Sequence, residues 1–271
     1  MAERSMDAIT KAIKIAGRGG RRTSSRTRHA REPERHITYE QTKVIQVDGE
    51  LLRENRVISG RDDRLLVDAY KLLRTRLMSR MQQNNWKTLG ITSTNENEGK
   101  TLTAVNLAIS IAMKLNYTVM LVDADLRRPS AHTLFGLDPA HGLSDHLESG
   151  VPIDKVLINP GIDRFVILPG GDPVGDSSEL LASPRMVQLV QELKTRYPSR
   201  IIVFDLPPVL VGDDVAAFSP CLDAAMLVVE DGRTQADQLA RAMEILEGVN
   251  LVGTVLNKAT DSSQDGGYYY Y

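Results

Sequence analysis

Apolar residues follow two rhythms along most of this chain. Short unbroken runs alternate with stretches in which apolar positions return at helical spacing. The runs Thr88–Thr92, Thr118–Val122, Phe165–Leu168, Arg200–Phe204, Ala224–Val229 and Gly253–Leu256 read as strands. Between them, Leu102–Leu115, Arg185–Arg196 and Thr234–Glu247, the last with Thr234 as N-cap, read as helices. Ahead of the first strand, Asp62–Met81 places Leu65, Leu66, Ala69, Leu72, Leu73 and Leu77 on one broad helical face. Strands that are apolar throughout, separated by helices, predict an α/β fold of three layers, with a mostly parallel sheet flanked by helices.

The ends read differently. Met6–Ile15 suggests a short helix. From Lys14 to Arg31 the chain carries Lys14, Arg18, Arg21, Arg22, Arg26, Arg28 and Arg31 and no acidic residue. Such a stretch cannot bury enough surface to fold. It is either a solvated charge run or a weak anchor for anionic lipid. The predicted organisation is therefore a short helix and basic, largely disordered segment over 1–56, a folded domain over 57–260, and a flexible tail over 261–271. The tail ends Gly-Gly-Tyr-Tyr-Tyr-Tyr, so four of the chain's eight tyrosines are its last four residues.

Composition narrows the classes. The net charge of -2 gives no bulk attraction to nucleic acid or to an anionic membrane. The single cysteine, Cys221, reads as a small buried hydrophobe and suits a reducing cytoplasm. No apolar run approaches the roughly 20 residues of a membrane span. Work at a membrane would need a partner to bring the protein there.

The chemistry gathers at three strand ends. Leu89–Thr101 runs from a strand into a helix and closes on Gly99-Lys100-Thr101, the ending of a phosphate-binding loop. In that reading backbone N–H groups of the loop face phosphate oxygens, Lys100 reaches the β- and γ-phosphates, and the Thr101 hydroxyl ligates magnesium. The loop is a degenerate match. Thr94 and Asn97 stand where glycine is usual, and Asn97 can still adopt positive φ. Two apolar strands then end in carboxylates, one in Asp123 and Asp125, the other in Asp205. Carboxylates at the carboxyl ends of parallel strands lie where such sheets bind ligands. Asp205 suits a magnesium shell. Of Asp123 and Asp125, one could ligate the metal while the other orients or deprotonates a hydroxyl nucleophile. Together these motifs predict the P-loop NTPase fold, with ATP and Mg2+ as ligands. Asn97, Glu98, Gly99, Lys100, Thr101 and Leu102 form the expected nucleotide site.

Asp123-Ala-Asp-Leu-Arg-Arg-Pro129 resembles the second Walker-type motif of bacterial tyrosine kinases, autokinases that regulate capsule and exopolysaccharide polymerisation and export. The resemblance extends over about 57–271 and includes Leu134–Leu137, Gly142–Asp145, Leu168–Gly171 and Glu179–Met186. The N-terminal helix and basic segment resemble the exosortase-linked branch of that family. The resemblance implies catalytic roles for Lys100, Asp123, Asp125 and Asp205, and magnesium held by Thr101, Asp123 and Asp205. The mobile tail reads as a substrate segment whose phosphoacceptors, Tyr268, Tyr269, Tyr270 and Tyr271, enter a neighbouring subunit's site in trans; the alternatives are a disordered end or a sticky anchor. Asp68, Lys71 and Arg74 match a subunit-contact motif that usually reads Glu, Arg and Arg, which implies a ring-shaped homo-oligomer or, failing that, an ordinary solvated helix face. Asn257 falls where related ATPases place an adenine-reading amide. The implied partners are a transmembrane co-polymerase adaptor and a cognate tyrosine phosphatase, with no nucleic acid. The implied location is the cytoplasmic face of the membrane. Two other functions share the strand-end carboxylates. One is a partition or septum-positioning ATPase, which usually carries a signature lysine where this chain has Asn95. The other is a nucleotide-gated scaffold without transfer activity.

Overall fold

The computed structural model describes residues 42–59, 64–114, 116–197 and 199–259. The expected helix Met6–Ile15, the basic segment and the tyrosines Tyr268–Tyr271 lie outside them. The strands are β1 (Lys43–Val44), β2 (Thr88–Ser93), β3 (Thr118–Asp123), β4 (Ile158–Asn159), β5 (Phe165–Leu168), β6 (Arg200–Asp205), β7 (Ala224–Glu230) and β8 (Leu251–Asn257). The helices are α1 (Gly49–Glu54), α2 (Arg64–Gln83), α3 (Lys100–Ala112), α4 (Leu143–Ser149), α5 (Ile153–Val156), α6 (Ser177–Leu181), α7 (Pro184–Arg196), α8 (Asp214–Phe218) and α9 (Ala236–Ile245).

The strands form one sheet in the order β1-β4-β5-β3-β6-β2-β7-β8, parallel at every pairing except β4 with β5. Successive side chains of a strand point to opposite faces, and both faces here are covered. Val119 and Leu121 of β3, with Ile201 and Val203 of β6, join one apolar cluster with α3 and the inner side of α2. Met120 and Val122, with Ile202 and Phe204, join a second cluster on the other face with α7 and Leu147 of α4. This explains why the strand sequences lack the alternation of a half-exposed sheet. It also makes α3 a core helix, with every residue from Thr103 to Ala112 buried.

The folded body begins earlier than expected. Residues 42–56 belong to it, where a boundary near 57 was predicted. β1 pairs with β4, Leu52 of α1 is buried, and Ile45 and Val47 pack against the first cluster. Asn106 of α3 clamps the next segment. Its Oδ1 accepts the Ile58 N–H at 2.9 Å and its Nδ2 donates to the Arg56 carbonyl at 2.8 Å.

The expected contact motif on α2 is split. Asp68 and Lys71 are exposed and pair with each other at 3.0 Å. Arg74 instead turns inward, and its Nη1 donates to the Ser110 carbonyl of α3 at 2.7 Å. Thr234 is not the cap of α9, which starts at Ala236 with Gln235 in the capping position. Cys221 is half-buried, and burial raises its thiol pKa.

Replacing Asn106 with Ala strands the Ile58 N–H and the Arg56 carbonyl. The expected loss is about 2–4 kcal/mol of stability, measurable by urea unfolding. A loss below about 1 kcal/mol would mean that the 56–58 segment is held by other contacts.

Candidate nucleotide and phosphoryl-transfer site

β2 ends at Ser93, and the loop 94–99 carries the chain into α3 at Lys100. Asn97 has φ +63° and Gly99 φ +93°, so the asparagine takes the left-handed position that a glycine would otherwise fill. A side chain at Gly99 is barred twice, by this backbone conformation and by the Asn257 amide against it.

Glu98 holds the loop's shape. It is buried, and its Oε2 accepts the backbone N–H groups of Thr94 at 2.8 Å and Asn95 at 3.0 Å. Its Oε1 accepts the Thr234 hydroxyl at 2.6 Å and Asn95 Nδ2 at 3.1 Å. This carboxylate supplies by hydrogen bonding the turn that extra glycines supply in closer matches to the motif. Glu98 is expected in the nucleotide site; its carboxylate is engaged by Thr94, Asn95 and Thr234, which leaves its backbone N–H for that role.

Asn257, expected to read adenine, ends β8 beside the loop, and its Nδ2 donates to the Glu98 carbonyl at 2.8 Å. Lys258 was not anticipated. Its Nζ donates to the Asn97 carbonyl at 2.6 Å and pairs with Glu230 Oε2 at 3.0 Å. In a trans peptide the C=O and the following N–H point in opposite directions. Holding the 97 and 98 carbonyls toward β8 therefore turns the N–H groups of Glu98 and Gly99 the other way. A sequence signal existed in the Asn-Lys pair closing the last strand, but not the knowledge that β8 flanks the loop.

Behind the loop, β3 and β6 pair in register so that Asp123 stands opposite Asp205. The Lys100 ammonium lies 2.7 Å from Asp125 Oδ2 and 3.6 Å from Asp205 Oδ1. Its Nζ is also 3.3 Å from the Thr101 hydroxyl. Burial pulls the lysine pKa down, but Asp205 and Asp125 outweigh it and leave it raised. Asp123 is fully buried. Burial and the charge of Asp205 push its pKa up to about 8, against the Ala131 N–H and Lys100. Burial likewise raises Asp205, with Lys100 and the Thr101 hydroxyl pulling the other way.

β3 stops at Asp123, so Asp123 and Asp125 do not share a strand face. Asp123 is turned inward. Its Oδ2 accepts the N–H groups of Ser130 at 2.8 Å and Ala131 at 2.9 Å, and its Oδ1 that of Asp125 at 3.3 Å. Both its oxygens are thus engaged by backbone, which disfavours the direct metal contact expected of it. Asp125 instead reaches the cavity in front of the loop. The two Asp205 oxygens are buried and accept no hydrogen bond. Three carboxylates against one ammonium, with an orphaned oxygen pair beside the Thr101 hydroxyl, form a hard-oxygen set short of positive charge. Such a set fits a magnesium ion.

The cavity measures about 810 Å³. Its lining includes Asn97, Gly99, Lys100, Thr101 and Leu102 of the loop and α3, the charged residues Asp125, Arg127 and Arg128, and the apolar residues Leu134, Pro207, Pro208 and Val211. Arg127 Nε donates to Asp214 Oδ2 at 2.8 Å, and buried Asp214 also receives the Ser177 hydroxyl. Arg128 Nη1 reaches back to Glu96 of the loop at 2.6 Å.

Residues 89–266 match the CobQ/CobB/MinD/ParA nucleotide binding domain. The tyrosine-protein kinase YwqD of Bacillus subtilis is 30% identical over 224 residues, covering 82% of this chain and 93% of that protein. This chain is a member of the bacterial tyrosine-protein kinase family. The tyrosine-protein kinase etk of Escherichia coli K12 is 34% identical over 193 residues, and the match covers 70% of this chain but only 26% of that longer relative. The solved kinase domain of Escherichia coli ETK superposes with a TM-score of 0.67 at 30% identity, covering 84% of this chain and 94% of that one. Family and fold agree with the P-loop NTPase architecture described above. The segment that resembles the exosortase-linked branch lies outside the described residues.

Removing the Glu98 carboxylate (Glu98→Ala) frees two loop N–H groups at once. Nucleotide affinity is expected to fall at least tenfold while Thr234→Val, which removes one partner, falls less; titration with a fluorescent ADP reads both. Equal affinities in Glu98→Ala and the parent protein would dismiss the brace.

Asp123 has its pKa raised in the folded state, from the usual 3.8 to about 8. The folded protein thus keeps a proton that the unfolded chain has released. Stability contributed by this group falls as pH rises between those values, by at most about 1.4 kcal/mol per pH unit. Magnesium binding favours the ionised cluster, so its thermal stabilisation should be larger at pH 8.5 than at pH 6, and Asp123→Asn should flatten the difference. A larger magnesium effect at pH 6 would contradict this.

Proposed function

We propose that this protein is an ATP-dependent protein-tyrosine autokinase that phosphorylates Tyr268–Tyr271 of a neighbouring copy and thereby regulates exopolysaccharide or capsule polymerisation and export. The observation that carries the reading is the placement of Asp125. It lies 2.7 Å from Lys100 at the phosphate loop and lines a cavity whose lining also includes the apolar residues Leu134, Pro207, Pro208 and Val211. A site for hydrolysis needs room only for water beyond the phosphates. This one has a carboxylate and an apolar surface where an aromatic hydroxyl can enter. The family supports the same chemistry.

In the proposed reaction, N–H groups of the loop and Lys100 hold the triphosphate. The bond from the γ-phosphorus to the β–γ bridging oxygen breaks, a bond to the tyrosine oxygen forms, and Asp125 takes the hydroxyl proton. Thr101 and Asp205 would hold magnesium, which would neutralise charge on the phosphates. Asp123 fixes the Ser130–Ala131 turn behind the site. No described helix is long and apolar enough to cross a membrane. We place the protein on the cytoplasmic face, brought there by a membrane-spanning co-polymerase adaptor and countered by a tyrosine phosphatase. Ring assembly would use the exposed Asp68 and Lys71 of α2, without Arg74. Phosphorylated tails would repel one another and the carboxylate-rich site, loosening the ring. Asn95 weighs against the partition-ATPase reading. It is an amide paired with Gln238 at 3.2 Å, where that reading needs a lysine.

The test is phosphotyrosine formation with Mg-ATP, with and without the adaptor's cytoplasmic segment. The expected result is signal in the parent protein, loss of at least 100-fold in Lys100→Met, and loss when Tyr268–Tyr271 are all changed to Phe. Absence of phosphotyrosine under every condition would refute the kinase reading, and signal persisting in the Phe variant would move the acceptor elsewhere.

A further inference from the structure

Two arginines follow Asp125, and the structure treats them differently. Arg127 is fixed. Buried Asp214 holds its Nε, and this hydrogen bond, set against some burial, keeps its pKa raised. Arg128 crosses the cavity mouth to Glu96, with side chains 73% and 40% exposed. An ion pair this open to water contributes little, so it exchanges cheaply for a stronger partner.

Glu96 stands in an unfavourable place. It lies on the loop that must receive a triphosphate, three residues before Gly99, and lines the same cavity as Lys100 and Thr101. A carboxylate there repels the nucleotide unless it is neutralised or turned away. Arg128 neutralises it at 2.6 Å. The same contact fixes the reach of the guanidinium: a group that touches the loop can touch phosphates bound in it. A triphosphate offers several negative charges and pairs of oxygens that a guanidinium fork matches with paired hydrogen bonds.

We propose that Arg128 is a catalytic contact of the transferred phosphoryl group, and that Glu96 is the partner it leaves when ATP binds. The proposal rests on the kinase reading above. Arg128 exchanges no proton. As the phosphorus passes from the bridging oxygen to the tyrosine oxygen, charge spreads over its three equatorial oxygens, and a guanidinium at those oxygens stabilises it. Glu96 makes the arrangement selective. ADP lacks the terminal phosphate, so it gives Arg128 less reason to leave the carboxylate. Arg127 is less free to take this part, because leaving Asp214 would remove the cation paired with a buried carboxylate.

The experiment uses the full chain with Arg128→Ala, Arg128→Lys and Glu96→Gln. Fluorescent ATP and ADP analogues are titrated with magnesium present, and phosphotyrosine formation is measured alongside. Arg128→Ala should bind ATP about tenfold more weakly with ADP affinity within about threefold, a loss typical of one charge-assisted contact. Its phosphotyrosine formation should fall at least 100-fold, and Arg128→Lys should recover little of it because the fork is lost. Glu96→Gln should bind ATP more tightly, by about threefold. Two results would overturn the proposal: an unchanged ATP-to-ADP ratio in Arg128→Ala, or weakening of ATP in Glu96→Gln equal to that in Arg128→Ala. The second would make the pair a loop brace only. If the parent protein forms no phosphotyrosine, the kinase reading fails by itself, while the affinity ratio still decides whether Arg128 meets the terminal phosphate.

Discussion

One buried ammonium faces three buried carboxylates at the carboxyl edge of the central strands, and the neighbouring structure is arranged to hold that imbalance. Such a cluster is costly in an apolar surrounding. Here the cost appears as protons held on Asp123 and as an Asp205 whose oxygens accept nothing. The two apolar clusters flanking the sheet supply the stability that offsets it. The in-register pairing of β3 with β6 holds Asp123 and Asp205 side by side. A divalent cation would satisfy this arrangement, with a proton as its substitute.

The phosphate loop shows a related logic. Loops of this kind usually rely on glycine to place successive N–H groups on one side. This chain uses side chains from distant elements. Glu98 gathers the start of the loop, Asn257 and Lys258 hold its carbonyls from β8, and Thr234 fixes Glu98 from the segment before α9. The loop's shape therefore depends on the β7–β8 edge of the sheet being in place.

That dependence separates what the residue pattern reveals from what it hides. Strands such as Val119–Val122 are legible because double-sided burial writes itself as an unbroken apolar run. Lys100, Thr101, Asp125 and Asp205 are legible because strand ends and the loop ending share a fixed geometry. Residues 42–56 are not: β1 has two residues, and its packing through Ile45, Val47 and Leu52 is too sparse to show a period. The roles of Glu98, Asn257, Lys258 and Arg74 stay hidden for another reason. Each is decided by which element lies alongside, at sequence separations that no local pattern spans. Thr234 illustrates the point. A threonine before a helical pattern reads as a cap, and only the tertiary neighbour Glu98 shows why it is there.

Helix α3 carries Lys100 at its first residue, holds residues 56–58 through Asn106 at its middle, and offers the Ser110 carbonyl to Arg74 near its end. It is buried along nearly its whole length, in an interior packed too tightly to absorb displacement locally. One buried helix thus ties the phosphate end of the site, residues 56–58 and α2 into a single packed body.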